Sequence, residues 1–348
     1  MFEDLAKEPA AWLTEDGPES GIVLSSRIRF ARNLKEFKFP ASADTDSRDK
    51  IIDYVFSALE SLTFFQEGEF YRSTDITPLD QSFLVERHLI SPEFMKDGIG
   101  RGLYIDGSKR LSIMLNEEDH IRLQVISSGL AMSDCWEYAN EVDQNISRKV
   151  EYAFDDKFGH LTSCPTNVGT GLRASILIHL PSLVLTREID NVIGRISKVG
   201  LAVRGFYGEG TDVLGNLFQI SNQTTLGRSE DEIIDSLAKV TQQIIEYETN
   251  SQDTLMRDAS DQIEDKVWRS YGILKHARVL TSGEVMNLLS ALRLGLSLKI
   301  IDKITLKQIN ELLIVTQPAH LQKYYEREMD TTERDMVRAD LVRERLEE

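Results

Sequence analysis

The stretch Leu111–Ser127, LSIMLNEEDHIRLQVIS, constrains the fold more than any other. Leu111, Ile113 and Leu115 alternate with Ser112, Met114 and Asn116, and Ile121, Leu123 and Val125 alternate with Arg122, Gln124 and Ile126. Each half has the two-residue period of a strand. Glu117, Glu118 and Asp119 lie between the halves, which places three acids at or near the tip of a hairpin. Arg122 and Gln124 project to the face opposite Ile121 and Leu123. Such a tip is either a solvated acidic turn or part of a site.

With 348 residues the chain has room for two or three domains. Its 41% hydrophobic and 28% charged residues match an ordinary folded core rather than a disordered chain. No apolar run approaches the ~20 residues of a membrane helix. The start, MFEDLAKEPAAW, has neither a basic region nor an apolar one of the export type. Two cysteines, Cys135 and Cys164, make no disulfide framework. The expectation is a cytoplasmic protein without a membrane segment. A net charge of −17 argues against non-specific nucleic-acid binding and suits basic partners, including proteins with exposed arginines; it also simply aids solubility.

Residues 1–20 read as an arm, with Trp12 as its anchor. In GIVLSSRIRFARNLKEF, Val23, Ser25, Arg27 and Arg29 share one strand parity, and Leu24, Ser26, Ile28 and Phe30 the other. Arg27 and Arg29 therefore leave the same face, roughly 6–7 Å apart. Arg32 makes the cluster dense. The pair is either a clamp for phosphate oxygens or a charged strand edge. A helical stripe follows at Ile51, Ile52, Val55, Phe56, Leu59 and Leu62. His88 stands alone in VERHLIS, and a lone histidine is more often packed than functional.

Ser133–Phe154 reads as a helix. Beyond it a turn-rich loop carries Gly169 and Gly171 ahead of Arg173 and an apolar strand. Glycines there let backbone N–H groups approach an anion, although no P-loop is present. Cys164, between Ser163 and Pro165, is either a reactive loop thiol or a small buried hydrophobe. Leu201–Gln223 reads as strand, loop, strand; the loop holds Arg204, Glu209 and Asp212 among four glycines and suits closure over a ligand. An amphipathic helix spans Ser229–Tyr247. The polar stretch Glu248–Ser260 reads as a linker, and beyond it the capping signatures Thr281/Glu284 and Thr305/Gln308 and the stripe Val285, Leu288, Leu289, Leu292 indicate a helical bundle. The domain division is an arm (1–20), a catalytic domain (21–250) and a helical C-terminal domain (251–348). In the tail, Arg334 and Arg338 stand at i,i+4 with Asp335 between them, either a pocket for an anion or a solvated charged face.

Five separated arginines (Arg27, Arg29, Arg122, Arg173, Arg204) and two loop acid clusters (Glu117–Asp119 and Glu209/Asp212) suit phosphoryl transfer to a cationic acceptor. Cations hold the polyphosphate, and acids hold the acceptor and take its proton.

At these blocks the chain resembles the phosphagen (guanidino) kinases. SSRIRFARN, ERHLIS, NEEDHIRLQVIS, CPTNVGTGLRAS and the glycine loop followed by ISNQ occur in that family's order, over roughly Gly21 to Tyr247. Within the superfamily it resembles the bacterial protein arginine kinase (McsB) branch. Only 24 residues precede Ser25, where creatine and arginine kinases carry a helical domain, and RDMVRA (Arg334–Ala339) looks like the branch's RDxxRA phosphoarginine-binding motif.

The resemblance implies an α+β catalytic domain, an antiparallel sheet flanked by helices in the glutamine synthetase-like manner, plus a C-terminal helical domain. It implies ATP and Mg²⁺. ATP would contact Ser25, Ser26, Arg27, Ile28 and Arg29, His88 against the adenine, Arg122, Arg173, Ala174, Ser175, Ile176 and Leu177, and Arg204, Gly205, Phe206, Tyr207, Gly208 and Glu209. Glu118 would be the principal catalytic carboxylate, supported by Glu117. Glu209 would be the second acid on the acceptor, Asp212 would stand where the branch usually has Glu, and Cys164 would sit beside the acceptor. Arg334, Asp335, Arg338 and Ala339 would bind phosphoarginine allosterically. No resident metal site is expected. The expected partners are proteins with exposed arginines, a zinc-binding activator and a Clp-type ATPase/protease, with the chain itself a homodimer. The leading expectation is thus a protein arginine kinase marking proteins for Clp-type proteolysis in stress-linked quality control. The alternatives are a kinase for free arginine or another small guanidine, and a non-catalytic phosphoarginine-binding adaptor.

Overall fold

The computed structural model describes residues 1–347 apart from 15, 63, 64, 66, 97 and 206–212. The strands are β1 (Val23–Arg32), β2 (Glu69–Arg72), β3 (Gly102–Ile105), β4 (Leu111–Leu115), β5 (Ile121–Ser128), β6 (Phe154–Asp155), β7 (Gly159–His160), β8 (Leu172–His179), β9 (Leu201–Gly205) and β10 (Leu217–Asn222). The helices are α1 (Glu3–Lys7), α2 (Thr45–Glu60), α3 (Pro78–Glu86), α4 (Met132–Ser147), α5 (Pro181–Leu185), α6 (Ile189–Lys198), α7 (Glu230–His276), α8 (Ser282–Ser297), α9 (Leu306–Val315), α10 (Pro318–Tyr324) and α11 (Thr331–Arg345).

Eight strands form one antiparallel sheet in the order β2-β3-β4-β5-β1-β8-β10-β9. β6 and β7 pair separately. The α+β expectation holds. Alternation divides the sheet into two faces. One carries Ile28 and Phe30 of β1, Leu123 and Val125 of β5, and Ala174 and Ile176 of β8. It packs against α2 (Ile51, Ile52, Val55), α4 (Ala139, Val142, Ile146) and the first half of α7 (Ile233, Leu237, Ile244). The other face is apolar only at one end, where Leu24, Ile126, Leu177 and Leu217 join a second core built by α7, α8, α9 and α11. The rest of that face bears the arginines. The parity of β1 changes at a register shift between Val23 and Ser25, so Val23 joins the first core and Leu24 the second.

Caps mark the helix starts. Asp44 accepts from Ser47 N at 2.8 Å ahead of α2. Ser229 with Glu232 and Thr305 with Gln308 make reciprocal capping boxes on α7 and α9. The stretch 248–260 is helical, contrary to its reading as a linker. It lacks Gly and Pro, and Glu248 is buried, its carboxylate accepting from Ser182 N (2.8 Å) and Leu183 N (3.0 Å). The chain bends instead at Ala259, whose φ of −148° and ψ of 29° interrupt α7.

The arm packs on the second core through Ala10, Trp12 and Leu13, and on a third, smaller core through Leu5 and Ala6. Trp12 is 1% exposed and belongs to the second core. Asn310 of α9 donates to Leu13 O (3.0 Å), and Arg293 of α8 donates to Ser20 O. Among the described residues no helix is long and apolar enough to cross a membrane.

Candidate active site

The register of β1 builds the site. Arg29 stands opposite Gln124 of β5 on one side and Arg173 of β8 on the other, and Arg27 opposite Ser175. With Arg122 of β5 and Arg204 of β9, these side chains line a cleft of about 950 Å³ together with His88, Ser91, Glu117, Glu118, Cys164, Gln219 and Gln223. The structure brings together the five arginines singled out in the sequence. Arg32 is not among them: it lies on the opposite face, its Nη2 2.8 Å from Asp143 Oδ2 and its Nη1 donating to Thr170 O.

The guanidinium groups are under electrostatic stress. Burial, with Arg122 and Arg173 adding repulsion, brings Arg27 down to about 10. Burial and the charges of Arg27, Arg122 and Arg173 depress Arg29 further. Arg29 Nε is buried without a hydrogen-bond partner among the described residues. Like charges packed this closely are relieved by an anion between them.

The hairpin tip supplies that cage with its acids, and it is not solvated. Asn116 takes a left-handed φ of 56° to turn the chain. Glu117 is buried, paired with Arg122 Nη1 (2.6 Å to Oε2) and accepting from Ser91 Oγ. Glu118 is partly open to the cleft and lies 3.1 Å from Arg122 Nη2. Burial, with help from Asp119 and Glu117, raises its pKa above the usual carboxylate value, against the pull of Arg122 and a hydrogen bond with Cys164. The third acid is structural. Asp119 Oδ1 accepts from Asn33 Nδ2 and Ser163 N, both at 2.6 Å, and so ties the hairpin to the loop holding Cys164. Cys164 Sγ lies 3.0 Å from Thr166 Oγ1.

The glycines before Arg173 act by fit. A Cβ at Gly169 (φ 112°) would meet Thr225 O at 2.4 Å, and one at Gly171 (φ 62°) would meet Ala31 O at 2.6 Å. The Gly169 N–H bonds His160 O rather than facing the cleft. The alternation within β8 likewise turns only part of its segment toward the arginines. Ala174 and Ile176 point into the first core, as do Ile28 and the Ser26 side of β1, and Leu177 joins the second core. Ser26 Oγ donates to Gly129 O. Ser25 shares the parity of Arg27 and is buried. Gly205 ends β9, whereas Phe206, Tyr207, Gly208, Glu209 and Asp212 lie outside the described residues.

Two comparisons place this geometry. Residues 50–251 match the family described as ATP:guanido phosphotransferase, C-terminal catalytic domain, and residues 260–348 match the protein-arginine kinase McsB C-terminal domain. Curated protein-arginine kinases from Desulforamulus reducens (45% identical, covering 99% of this chain and 98% of the relative) and Bacillus cereus (48%, covering 96% and 95%) align nearly end to end. The chain belongs to the protein arginine kinase family. As a member of that family it shares the phosphagen kinase fold. Lombricine kinase is 25% identical over 69% of this chain and 70% of its own, with a TM-score of 0.61. The duplicated taurocyamine kinase from Schistosoma mansoni with bound transition state analog components is 29% identical over 72% of this chain and 36% of its own, with a TM-score of 0.62. The break at Ala259 falls between the two matched regions.

In this protein arginine kinase family member the RDMVRA block lies on α11. Arg338 is 1% exposed and internally engaged: Nε donates to Thr316 O and Nη1 to Leu280 O, both at 2.7 Å, and Nη1 also pairs with Asp335. Ala339 is in the second core. Arg334 is half-buried, donating to Met329 O (2.7 Å) and Thr331 Oγ1 (3.1 Å). The charges of both arginines act on Glu86, the last residue of α3, whose carboxylate accepts from Ala319 N (2.8 Å) and His320 N (2.6 Å) at the start of α10.

Three contributors were not marked as site residues in the sequence. Ser91 holds Glu117. Asn33 holds Asp119 and, through its Oδ1, the N–H of His120. Gln124 holds His88 by donating to its carbonyl at 2.7 Å. All three sit inside or at the ends of the recognisable blocks, the one local signal they leave.

Proposed function

We propose that this chain transfers the γ-phosphoryl group of ATP to arginine side chains of proteins. The observation that carries the reading is the cage of five strand-borne arginines facing Glu117 and Glu118 across one cleft. A guanidinium has a pKa above ~12 and is no nucleophile until it loses a proton. Glu118, partly open to the cleft between Arg122 and Cys164, is placed to receive the acceptor guanidinium by a charge-assisted hydrogen bond. As the acceptor nitrogen bonds to the γ-phosphorus, the bond to the β,γ-bridging oxygen breaks and leaves ADP, and the acceptor's proton passes to a Glu118 oxygen. Arg27, Arg29, Arg122, Arg173 and Arg204 offset the charge on the transferring group. Glu117 acts by fixing Arg122. Cys164 borders the acceptor side, and Glu209 and Asp212 are assigned there by family resemblance.

The oxygen donors facing the cleft fit Mg²⁺, which takes one or two carboxylates and keeps phosphate oxygens and water as its other ligands. No group of three or more ligating side chains converges among the described residues; Glu118, the carboxylate partly open to the cleft, would help hold the ion together with the nucleotide's phosphates. When bound it supplies charge stabilisation on the phosphates.

By the same resemblance we assign Arg334 and Asp335, on the frame that Arg338 provides, to phosphoarginine binding that stimulates the kinase. The modified proteins would pass to a Clp-type ATPase/protease in cytoplasmic quality control under stress, with a zinc-binding activator upstream and a homodimer as the working form.

The test is incubation of the purified chain with Mg-ATP and either casein or free arginine, with acid-labile phosphate counted beside a Glu118→Ala control. Label on protein arginine alone, lost in the control, supports the proposal. Label on free arginine moves the chain to the small-guanidine kinases, and phosphoarginine binding with no label on either acceptor leaves the adaptor reading.

A further inference from the structure

The arm and the cleft meet at one turn. After α3 the chain runs Glu86-Arg87-His88, and His88 takes a left-handed φ of 59°. That conformation is the left-handed turn that closes α3, with His88 N bonding Val85 O (2.9 Å) and Leu89 N bonding Leu84 O (2.9 Å). The arm packs on this turn. Trp12 Nε1 donates to Arg87 O at 2.9 Å, and Arg87 returns two bonds, to Glu8 O and Pro9 O, both at 2.9 Å. The Trp12 and His88 rings stack, with centroids 4.5 Å apart and planes 17° apart. Gln124 secures the His88 carbonyl from the other side.

Trp12 itself does not line the cleft, whereas His88 does, beside Arg27 and Arg29. The indole covers one face of the imidazole. A planar ligand group in the cleft can meet that ring only where the indole does not cover it. Burial and the two arginine charges hold the imidazole neutral, so it offers a ring surface and not a third cation. The arginines recognise phosphate and are indifferent to what it is attached to. Recognition of the base then falls to the His88 side of the cleft, and the angle of that ring is set by Trp12.

We propose that Trp12 is a positioning residue for the nucleotide base, acting through His88. This rests on the reading of the cleft as the ATP site. It makes the N-terminal arm, through a residue buried in the second core, part of nucleotide recognition.

The experiment measures binding of ATP and of inorganic tripolyphosphate by calorimetry to the full-length chain and to Trp12→Phe, Trp12→Leu, His88→Ala and the Trp12→Phe/His88→Ala double variant. Tripolyphosphate probes the arginines without a base. Losing the indole hydrogen bond should weaken ATP about tenfold in Trp12→Phe while tripolyphosphate stays within about twofold. Trp12→Leu, which also removes the stack, should weaken ATP further. The double variant should lose no more ATP affinity than His88→Ala, because the two residues act as one unit. Turnover at saturating ATP should fall less than the apparent KM for ATP rises.

Equal losses of ATP and tripolyphosphate in both Trp12 variants would reveal a purely structural residue and overturn the proposal. Additive losses in the double variant, or an unchanged ATP affinity in Trp12→Leu, would do the same. If His88→Ala binds ATP as the parent does, the base does not meet His88 and the proposal fails at its second link. Failure of the parent chain to bind either probe would instead overturn the ATP-site reading beneath it.

Discussion

Arg122 and Glu117 form the pair on which the cleft is built, with Nη1 2.6 Å from Oε2, and the second arm of the same guanidinium reaches Glu118 at 3.1 Å. One arginine thus holds two acids in unequal ways. Glu117 is enclosed and also bonded by Ser91, whereas Glu118 is partly exposed to the cleft, beside Cys164. The difference separates their roles. Glu118→Gln should lower kcat by about 10²–10⁴, the usual worth of a positioned acid–base group, with little change in ATP affinity. Glu117→Gln should instead raise the KM for ATP by loosening Arg122. Steady-state kinetics with both substrates varied would check the split, and a Glu118→Gln enzyme within a few-fold of the parent would remove Glu118 from the chemistry. The same pair sets a pH limb. Glu118 must be ionised to accept a proton, and burial raises its pKa. The kcat/KM profile should therefore fall on acidification through a pKa above the usual carboxylate value.

A second prediction concerns acid stability. Burial lowers the pKa of His88 to about 3, of His160 to about 4 and of His320 to about 3, and it also lowers those of His120 and His179. A histidine with a depressed folded pKa contributes stability that is present above its unfolded pKa of ~6.5 and lost as pH falls below it. Three acids work the other way: burial raises Glu86 to about 7 and also raises half-buried Glu118 and buried Glu248, so each favours the fold as pH falls through its raised pKa, Glu86 from about pH 7. Five groups taking up protons on unfolding outnumber three releasing them, and each net proton is worth about 1.4 kcal/mol per pH unit. The melting temperature should fall steadily from pH 7 to pH 5. A flat or rising curve over that range would contradict the balance.

The two cysteines differ in access. Cys135 is fully buried, and burial pushes its thiol up to about 11. Cys164 is partly exposed on the cleft wall. Brief treatment of the folded chain with iodoacetamide, followed by peptide mass mapping, should modify Cys164 and leave Cys135 untouched until denaturant is added. Saturating ATP with a guanidinium acceptor should slow the modification. Equal labelling of the two thiols would show that the first core is more open than the packing around Cys135 implies.

The sequence exposed the sheet and the arginine cage because both depend on local period. The alternation in β4, β5 and β1 places Arg27, Arg29 and Arg122 on one face without knowledge of any neighbour. It hid what distant residues decide. The bulge at Val23/Ser25 appears only when β8 pairs with β1. The helix through 248–260 reads as a polar linker because Glu248 serves a distant helix start at Ser182. Trp12 could be seen as an anchor but not as the neighbour of His88, since nothing local joins positions 76 residues apart (88 − 12). Arg334 and Arg338 were visible as a pair on one helical face, but the burial of one of them was not: its carbonyl partners Leu280 and Thr316 lie 58 and 22 positions away.

That last asymmetry yields a prediction about the C-terminal motif. Arg338 satisfies the carbonyl of Thr316, where α9 ends, and of Leu280, just ahead of α8, while pairing with Asp335. Arg338→Ala strips the two carbonyls and leaves Asp335 without its cation. Removing one partner of a buried pair costs about 3–5 kcal/mol. Arg334 bonds one carbonyl and one hydroxyl at a half-exposed position, so Arg334→Ala should cost within about 1 kcal/mol. Urea titrations of the two variants would measure the gap. Arg334→Ala is then the informative variant for phosphoarginine recognition: it should remain folded and lose binding of free phosphoarginine, whereas a loss in Arg338→Ala follows from the weakened bundle alone. If Arg338→Ala proves as stable as the parent chain, its buried contacts contribute far less than their geometry requires, and the motif's second arginine is free to serve a ligand.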